Sequence, residues 1–396
     1  MVSRRIEELG ESQTLFFAQQ ARQLKEAGVD VVSLTAGEPD FPTPRHIKDA
    51  AIEALRTDFT HYTANQGMPE LLDAVGEKFS HDNGLRFTRE QILVSCGAKQ
   101  SIFNALCAIL NPGEEVIIPA PYWVSYPSIV RLAGGIPVVV PLAEAGGYRI
   151  DPLLLRKAVT PRTRVLLLNS PGNPTGVALT REEAAGIARV VQESGILVVS
   201  DEIYEKVIFD RRTHVSIGSL QGMEDRVVTV NGVSKAYAMT GWRIGYMGGP
   251  ADIVQAAAKV QGQTTNNANS IAQKATIAAL RGPQEPIQEM TAEFERRRDV
   301  VVHRLSGIPS ITFTPPEGAM YVLVNASGVM GKTGPDGPIA NPAALAHYLL
   351  HRHHVALIPG DAFGAPTSLR LSFACSRADL EKGLARLARG LEELKN

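Results

Sequence analysis

From residue 91 onward the chain alternates short apolar runs with amphipathic segments, and no other feature restricts its fold so strongly. "QILVSCG" leads into the helix-like "AKQSIFNALCAIL", and "EEVIIPAPYW", "YPSIVRLAGG" and "IPVVVPL" follow. "RVLLLNSP", "REEAAGIARVVQES", "ILVVSDE", "RVVTVNG" and "RIGYMGG" continue the pattern. Short continuous apolar runs separated by helices predict an α/β fold: a mostly parallel central sheet with helices on both faces. Upstream, "IKDAAIEALRTD" and "MPELLDAVGEKF" read as helices.

The tail changes character. "TAEFERRRDVVVHRL" reads as a helix, "AMYVLVNA" as a strand, "NPAALAHYLLHRHH" as a helix and "SLRLSFA" as a strand. A last helix begins at "SRADLEKGL", where Ser376 and Asp379 resemble a capping box. The expected division is a large domain over 46–285 and a smaller, discontinuous α+β domain made of 1–45 and 286–396.

Composition narrows the function classes. A net charge of -1 over 396 residues gives no support for a nucleic-acid or membrane-surface partner. No apolar run reaches the ~18 residues of a membrane span. The cysteines Cys96, Cys107 and Cys375 show no CxxC spacing, and the charged start "MVSRRIEELGESQT" lacks the apolar core of a secretory signal. A cytoplasmic location is the expectation.

Two segments mimic known sites. "ASGVMGKTG" ends like a phosphate loop, but Ala326 stands where the first glycine belongs, and "GPDGP" follows where a helix must start. A flexible loop over 328–338 is expected there. In "HRHH", His351 and His354 lie one turn apart without a carboxylate or cysteine to complete a metal site, so no metal is expected. No GxGxxG follows a strand, against a nicotinamide dehydrogenase.

In open parallel sheets, ligands bind beyond the carboxyl ends of the strands. Polar residues just after the apolar runs are therefore the candidates. Asp201 ends "ILVVSDE", where a buried carboxylate needs a cationic or strongly donating partner such as a protonated ring nitrogen. Tyr204, about one helical turn on, could reach the same ligand. Trp123 in "APYWVSY" offers a face for stacking, and Asn173 sits in the Pro/Gly-fixed turn "SPGNPTG". "SCGAKQ" passes through Gly97 into a helix whose first turn has free N–H groups, and Arg243 could add a bidentate grip on a phosphate there. Lys235 in "VSKAYAMTGWRIGY" completes the set, because a partly desolvated lysine near other positive charge is a candidate amine nucleophile. Taken singly, each residue also has an ordinary structural reading: an N-cap, core packing, a simple turn, an ion pair or a snorkelling lysine. Together they match the aldehyde, ring nitrogen, ring face, ring hydroxyl and phosphate of pyridoxal 5′-phosphate.

These residues, with "SLTAGEPDF", "HYTANQGMPEL", "SPGNPTG", "SDEIYE" and "LRLSFA" in the same order, resemble the class I pyridoxal-phosphate aminotransferases, in particular the bacterial aspartate aminotransferase branch. The resemblance covers essentially the whole chain. It implies fold type I, a homodimer with shared active sites, and a ping-pong transfer of an amino group between an acidic amino acid and a 2-oxo acid. It implies that Lys235 bonds to the cofactor aldehyde and later shuttles a proton, and that Asp201 pairs with the pyridine nitrogen. By the same carry-over, Asn173 and Tyr204 contact the ring oxygen and Trp123 stacks on the ring. Gly97, Ala98, Ser234 and Arg243 surround the phosphate, as does the partner subunit's Tyr62. Arg370 holds the substrate α-carboxylate and Gly37 closes over it.

For the distal carboxylate of an acidic substrate, the resemblance points to Lys99, assisted by Ser12 and Thr14. The branch often reads Lys-Pro-Ser-x-Thr here, whereas residues 10–14 read Gly-Glu-Ser-Gln-Thr, which places an acidic Glu11 nearby. Aspartate and glutamate are the expected donors. Prephenate, an aromatic or specialised amino acid, and a carbon–sulfur β-lyase reaction on the same scaffold stay open.

Overall fold

The computed structural model of the chain describes residues 2–7, 9 and 13–395. Helices α1 (Arg4–Glu7) and α2 (Gln13–Glu26) lead to the short strand β1 (Val32–Ser33), then to α3 (Arg45–Arg56) and α4 (Pro69–Asn83). Strand β2 (Ile92–Ser95) opens the alternating block. It continues as α5 (Ala98–Ile109), β3 (Glu115–Ala120), α6 (Tyr126–Leu132), β4 (Ile136–Pro141), α7 (Pro152–Ala158) and β5 (Thr163–Asn169). Next come α8 (Arg181–Ser194), β6 (Leu197–Asp201), β7 (Val227–Gly232), β8 (Gly245–Gly248), α9 (Ala251–Gly262) and α10 (Ser270–Arg281).

Strands β2 to β8 form one seven-stranded sheet in the order β2-β8-β7-β6-β5-β3-β4. From β4 across to β7 every pairing is parallel, while β8 runs antiparallel to both β7 and β2. The mostly parallel sheet expected from the apolar runs is present. An apolar run reads the same in either chain direction, so the reversal of "RIGYMGG" carried no sequence signal. Strands β2, β6, β7 and β8 are almost wholly buried, whereas the edge strand β4 leaves Ile136 and Val139 exposed.

The remainder is α11 (Glu285–Ser306), β9 (Thr312–Phe313), β10 (Tyr321–Asn325), β11 (Thr333–Gly334), β12 (Gly337–Pro338), α12 (Pro342–His353), β13 (Val355–Ala356), β14 (Ile358–Pro359), β15 (Ser368–Ser372) and α13 (Arg377–Glu392). A second sheet runs β14-β15-β10-β9, all antiparallel. Strand β1 pairs with β13, and Phe17 and Ala21 of α2 join the core of the C-terminal elements. Ser376 accepts from the Asp379 N–H and so caps α13. The 328–338 segment, expected as a flexible loop, instead contains the β11–β12 hairpin, and Thr333 pairs with Lys395. Two-residue strands are too short to leave a periodic signal.

Candidate active site

The strand ends converge on a cleft of about 520 Å³ between the large sheet and the β10–β15 sheet. It is lined by Thr14, Gly37, Ala98, Lys99, Trp123, Asn173, Asp201, Tyr204, Ser234, Lys235, Arg243 and Arg370. These candidates come from positions as far apart as α2 and β15, yet they line one cleft. Gly97 stands just behind Ala98. Tyr62 is 88% exposed and does not line the cleft of its own chain. Ser12 lies outside the described residues, as do Gly10 and Glu11.

Asp201 is the last residue of β6, and its side chain is buried. Tyr126, at the start of α6, donates to Asp201 Oδ2 at 2.7 Å, and the Ile203 N–H donates to Oδ1 at 3.3 Å. Burial pushes the Asp201 carboxyl up to about 6, and the two hydrogen bonds oppose that rise. Asn169, the last residue of β5, donates to the Asp201 carbonyl at 2.9 Å and accepts from the Asn173 N–H at 2.8 Å. The carboxylate and the turn holding Asn173 are thereby tied together at adjacent strand ends. Tyr204 lies in a hydrogen-bonded turn rather than a helix, since Val207 N–H donates to its carbonyl at 2.8 Å. Its hydroxyl is 3.0 Å from that of Tyr321 in β10, and burial raises it well above the usual phenol range.

Lys235 follows β7 and lies half-buried in a turn. Its ammonium donates to the Gly37 carbonyl and sits 5.9 Å from the centroid of the Tyr204 ring. Gly97 caps α5 with φ 91°, a conformation that suits glycine, and a Cβ there would run into the Arg243 guanidinium. Arg243 Nη1 donates to the Thr240 carbonyl at 2.9 Å and Nη2 to the Cys96 carbonyl at 3.5 Å, so the guanidinium is held beside the first turn of α5. Thr240 donates in turn to Glu38 at 2.5 Å. Lys99, in the same turn of α5, holds its ammonium 4.8 Å above the Trp123 ring. Its pKa is lowered by desolvation first, then by the charges of Arg243 and Lys235.

Arg370 is 2% exposed, and among the described residues it forms no ion pair with a carboxylate. Nη1 donates to Asn173 Oδ1 at 3.3 Å and Nη2 to the Thr35 carbonyl at 2.8 Å, while Nε has no partner among the described residues. The guanidinium lies 4.6 Å from the centroid of the Tyr321 ring and 5.0 Å from that of Phe363. A buried cation without a counter-ion, opening on a cleft, is a site for an anion. Thr14 Oγ1, on the same cleft, is also buried without a partner among the described residues.

Residues 29–387 match the family model of class I and II aminotransferases. The chain belongs to this family. It is 44% identical over 393 residues to an aspartate aminotransferase of Rhizobium meliloti (strain 1021), covering 98% of this chain and 96% of that one. An aspartate/prephenate aminotransferase of Cereibacter sphaeroides is 46% identical over 379 residues, covering 95% of each. The crystal structure of an aspartate aminotransferase from Rhizobium meliloti superposes with a TM-score of 0.96 at 43% identity, covering all of both chains. The aminotransferase is pyridoxal-phosphate dependent, and its fold is fold type I. The donor set suits this cofactor: a cradle at Gly97 that a Cβ would fill, Arg243 beside it, a buried carboxylate, and a primary amine on the same cleft.

Sequence reasoning missed Tyr126, Asn169, Tyr321 and Thr240. Tyr126 lies three residues beyond Trp123 in "APYWVSY", and Asn169 directly precedes the quoted "SPGNPTG". Tyr321 and Thr240 had no strand-end signal of their own. Behind Asp201 lies a second buried polar cluster. Glu202 accepts from Ser200, Ser216 and Asn83 and pairs with His214, while Glu205 pairs with the Lys78 ammonium. Glu202, Glu205 and His214 are close enough together to ligate a metal, but Lys78 already supplies a cation to them.

Proposed function

We propose that the enzyme moves an amino group between aspartate or glutamate and a 2-oxo acid in two half-reactions, with the site residues in the following roles. Bound pyridoxal phosphate supplies an aldehyde for the amino group and an electron-withdrawing ring that stabilises a carbanion at the substrate Cα. Arg243, Ser234 and the backbone of Gly97 and Ala98 would hold its phosphate at the N-terminus of α5. Trp123 would pack on its ring, Asn173 and Tyr204 would face its ring oxygen, and Asp201 would keep a proton on the ring nitrogen. Lys235 would hold the aldehyde when no substrate is bound. The freed Lys235 amine then takes the proton from Cα and returns it on the product side. Arg370 grips the α-carboxylate and fixes which Cα bond faces Lys235, with Gly37 over it.

The observation that carries this reading is Arg370: a buried guanidinium without a counter-ion among the described residues, opening on the same cleft as Lys235. For the acidic side chain, the support is Lys99 at the mouth of that cleft and the aspartate specificity in the names of the relatives. The Cereibacter relative favours prephenate as a second acceptor to try. The proposal includes a cytoplasmic homodimer divided into domains 46–285 and 1–45 with 286–396. The exposed side chains of Ile52, Leu55 and Tyr62 support a face covered by a second subunit. No described helix is long and apolar enough to cross a membrane.

The roles are tested with Lys235→Ala. Purified with pyridoxal phosphate, this variant should lack the visible absorbance of the lysine-bound cofactor; retention of that band would overturn the assignment of Lys235.

A further inference from the structure

We propose that Tyr126 is a positioning residue: its hydroxyl fixes the Asp201 carboxylate in the orientation that serves the cofactor's ring nitrogen. The inference rests on the placement of Asp201 against that nitrogen. Tyr126 is 1% exposed and is the first residue of α6, so its position is set by helix packing and not by the ligand. Its ring meets Trp123 edge-on, with centroids 5.3 Å apart, which restricts ring tilt. The hydroxyl donates to Asp201 Oδ2 at 2.7 Å, a length typical of a charge-assisted O–H···O bond. The only other donor to this carboxylate among the described residues is the Ile203 N–H, at the longer distance of 3.3 Å. Removing the hydroxyl therefore leaves one oxygen of a buried carboxylate without a donor and frees the group to rotate.

The charged and titratable groups facing Asp201 are few. Glu202 follows it on the same strand end, Tyr204 lies in the next turn, and Lys235 approaches from the turn after β7. Glu202 opposes ionisation and Lys235 favours it, so Tyr126 is the group whose removal shifts the balance toward a neutral carboxyl. A neutral Asp201 forms no ion pair with a protonated ring nitrogen.

The test is the pH dependence of cofactor affinity, measured by equilibrium dialysis of pyridoxal phosphate against apoprotein. Wild type should lose affinity as pH falls through about 6, where the Asp201 carboxyl takes up its proton. In Tyr126→Phe the break should move upward by roughly one pH unit, so affinity should fall about tenfold at about pH 5 and below but only about twofold at pH 7, as expected for one charged hydrogen bond. In Asp201→Asn the same Tyr126→Phe change should add no further loss. An unmoved break, or an equal loss in the Asp201→Asn background, would show that Tyr126 only packs. If Asp201→Asn alone leaves affinity and its pH dependence unchanged, the placement of Asp201 itself fails.

Discussion

Arg370 Nη1 donates to the side-chain oxygen of Asn173 at 3.3 Å, joining a residue of β15 to the turn after β5. The proposed carboxylate fork and the proposed ring-oxygen ligand are therefore set in register by one contact between the two sheets. Lysine in place of Arg370 would keep a charge but lose the planar fork and this bond. We expect Arg370→Lys to lower kcat/KM for donor and oxo acid alike by roughly a hundredfold, the scale of one or two lost charged hydrogen bonds. Cofactor affinity should change much less. Steady-state kinetics with dialysis of the cofactor separates the two.

Lys99 governs side-chain selection in this account. Its ammonium rests over Trp123, partly desolvated and ready to pair with a second carboxylate. Lys99→Ala should lower kcat/KM for aspartate and glutamate about tenfold or more and leave alanine or phenylalanine nearly unaffected. An equal loss for acidic and apolar donors would refute the role.

Much of this site was legible because its residues stand directly after apolar runs. Asp201, Asn173, Gly97 and Lys235 are all of that kind, and parallel strands place such residues at one end of the sheet. Tyr126 and Tyr321 were not legible for a physical reason. A tyrosine's direction depends on how its helix or strand packs, and "WVSY" or "AMYVLV" reads equally well as core. Asn169 was hidden because it looks like the last polar residue of a strand, and only the parallel pairing of β5 with β6 sets it beside Asp201. The direction of β8 was likewise invisible, since it depends on tertiary pairing.

Burial of Asp201 makes a specific prediction about the apoprotein. Its carboxyl is raised from 3.8 to about 6, so the folded chain holds a proton that the unfolded chain has released within that window. Its contribution to stability is therefore fully present below about pH 4 and lost as pH rises through about 6, at a cost on the order of 3 kcal/mol. Apo Asp201→Asn should be more stable than wild type above pH 6, with the gap closing near pH 4. Chemical denaturation across pH checks this.

His214 has the opposite chemistry but the same direction of loss. Burial lowers its pKa, yet the charge and hydrogen bond of Glu202 raise it more, for a net rise. The stability from this pair is complete below about pH 6.5 and disappears as pH climbs through the raised folded value. His214→Gln should therefore be less stable than wild type at pH 6, and the difference should shrink toward pH 9. Thermal melts at matched ionic strength would show it.

The central claim is amino-group transfer with an acidic donor, and a half-reaction tests it most directly. Holoenzyme is mixed with aspartate or glutamate, without any oxo acid, while the visible absorbance of the lysine-bound cofactor is followed and the keto product is measured. The account predicts that the band disappears in a single turnover and that one equivalent of oxaloacetate or 2-oxoglutarate forms per site. Continued release of pyruvate and ammonia without an acceptor, or a band that no amino acid removes, would contradict it.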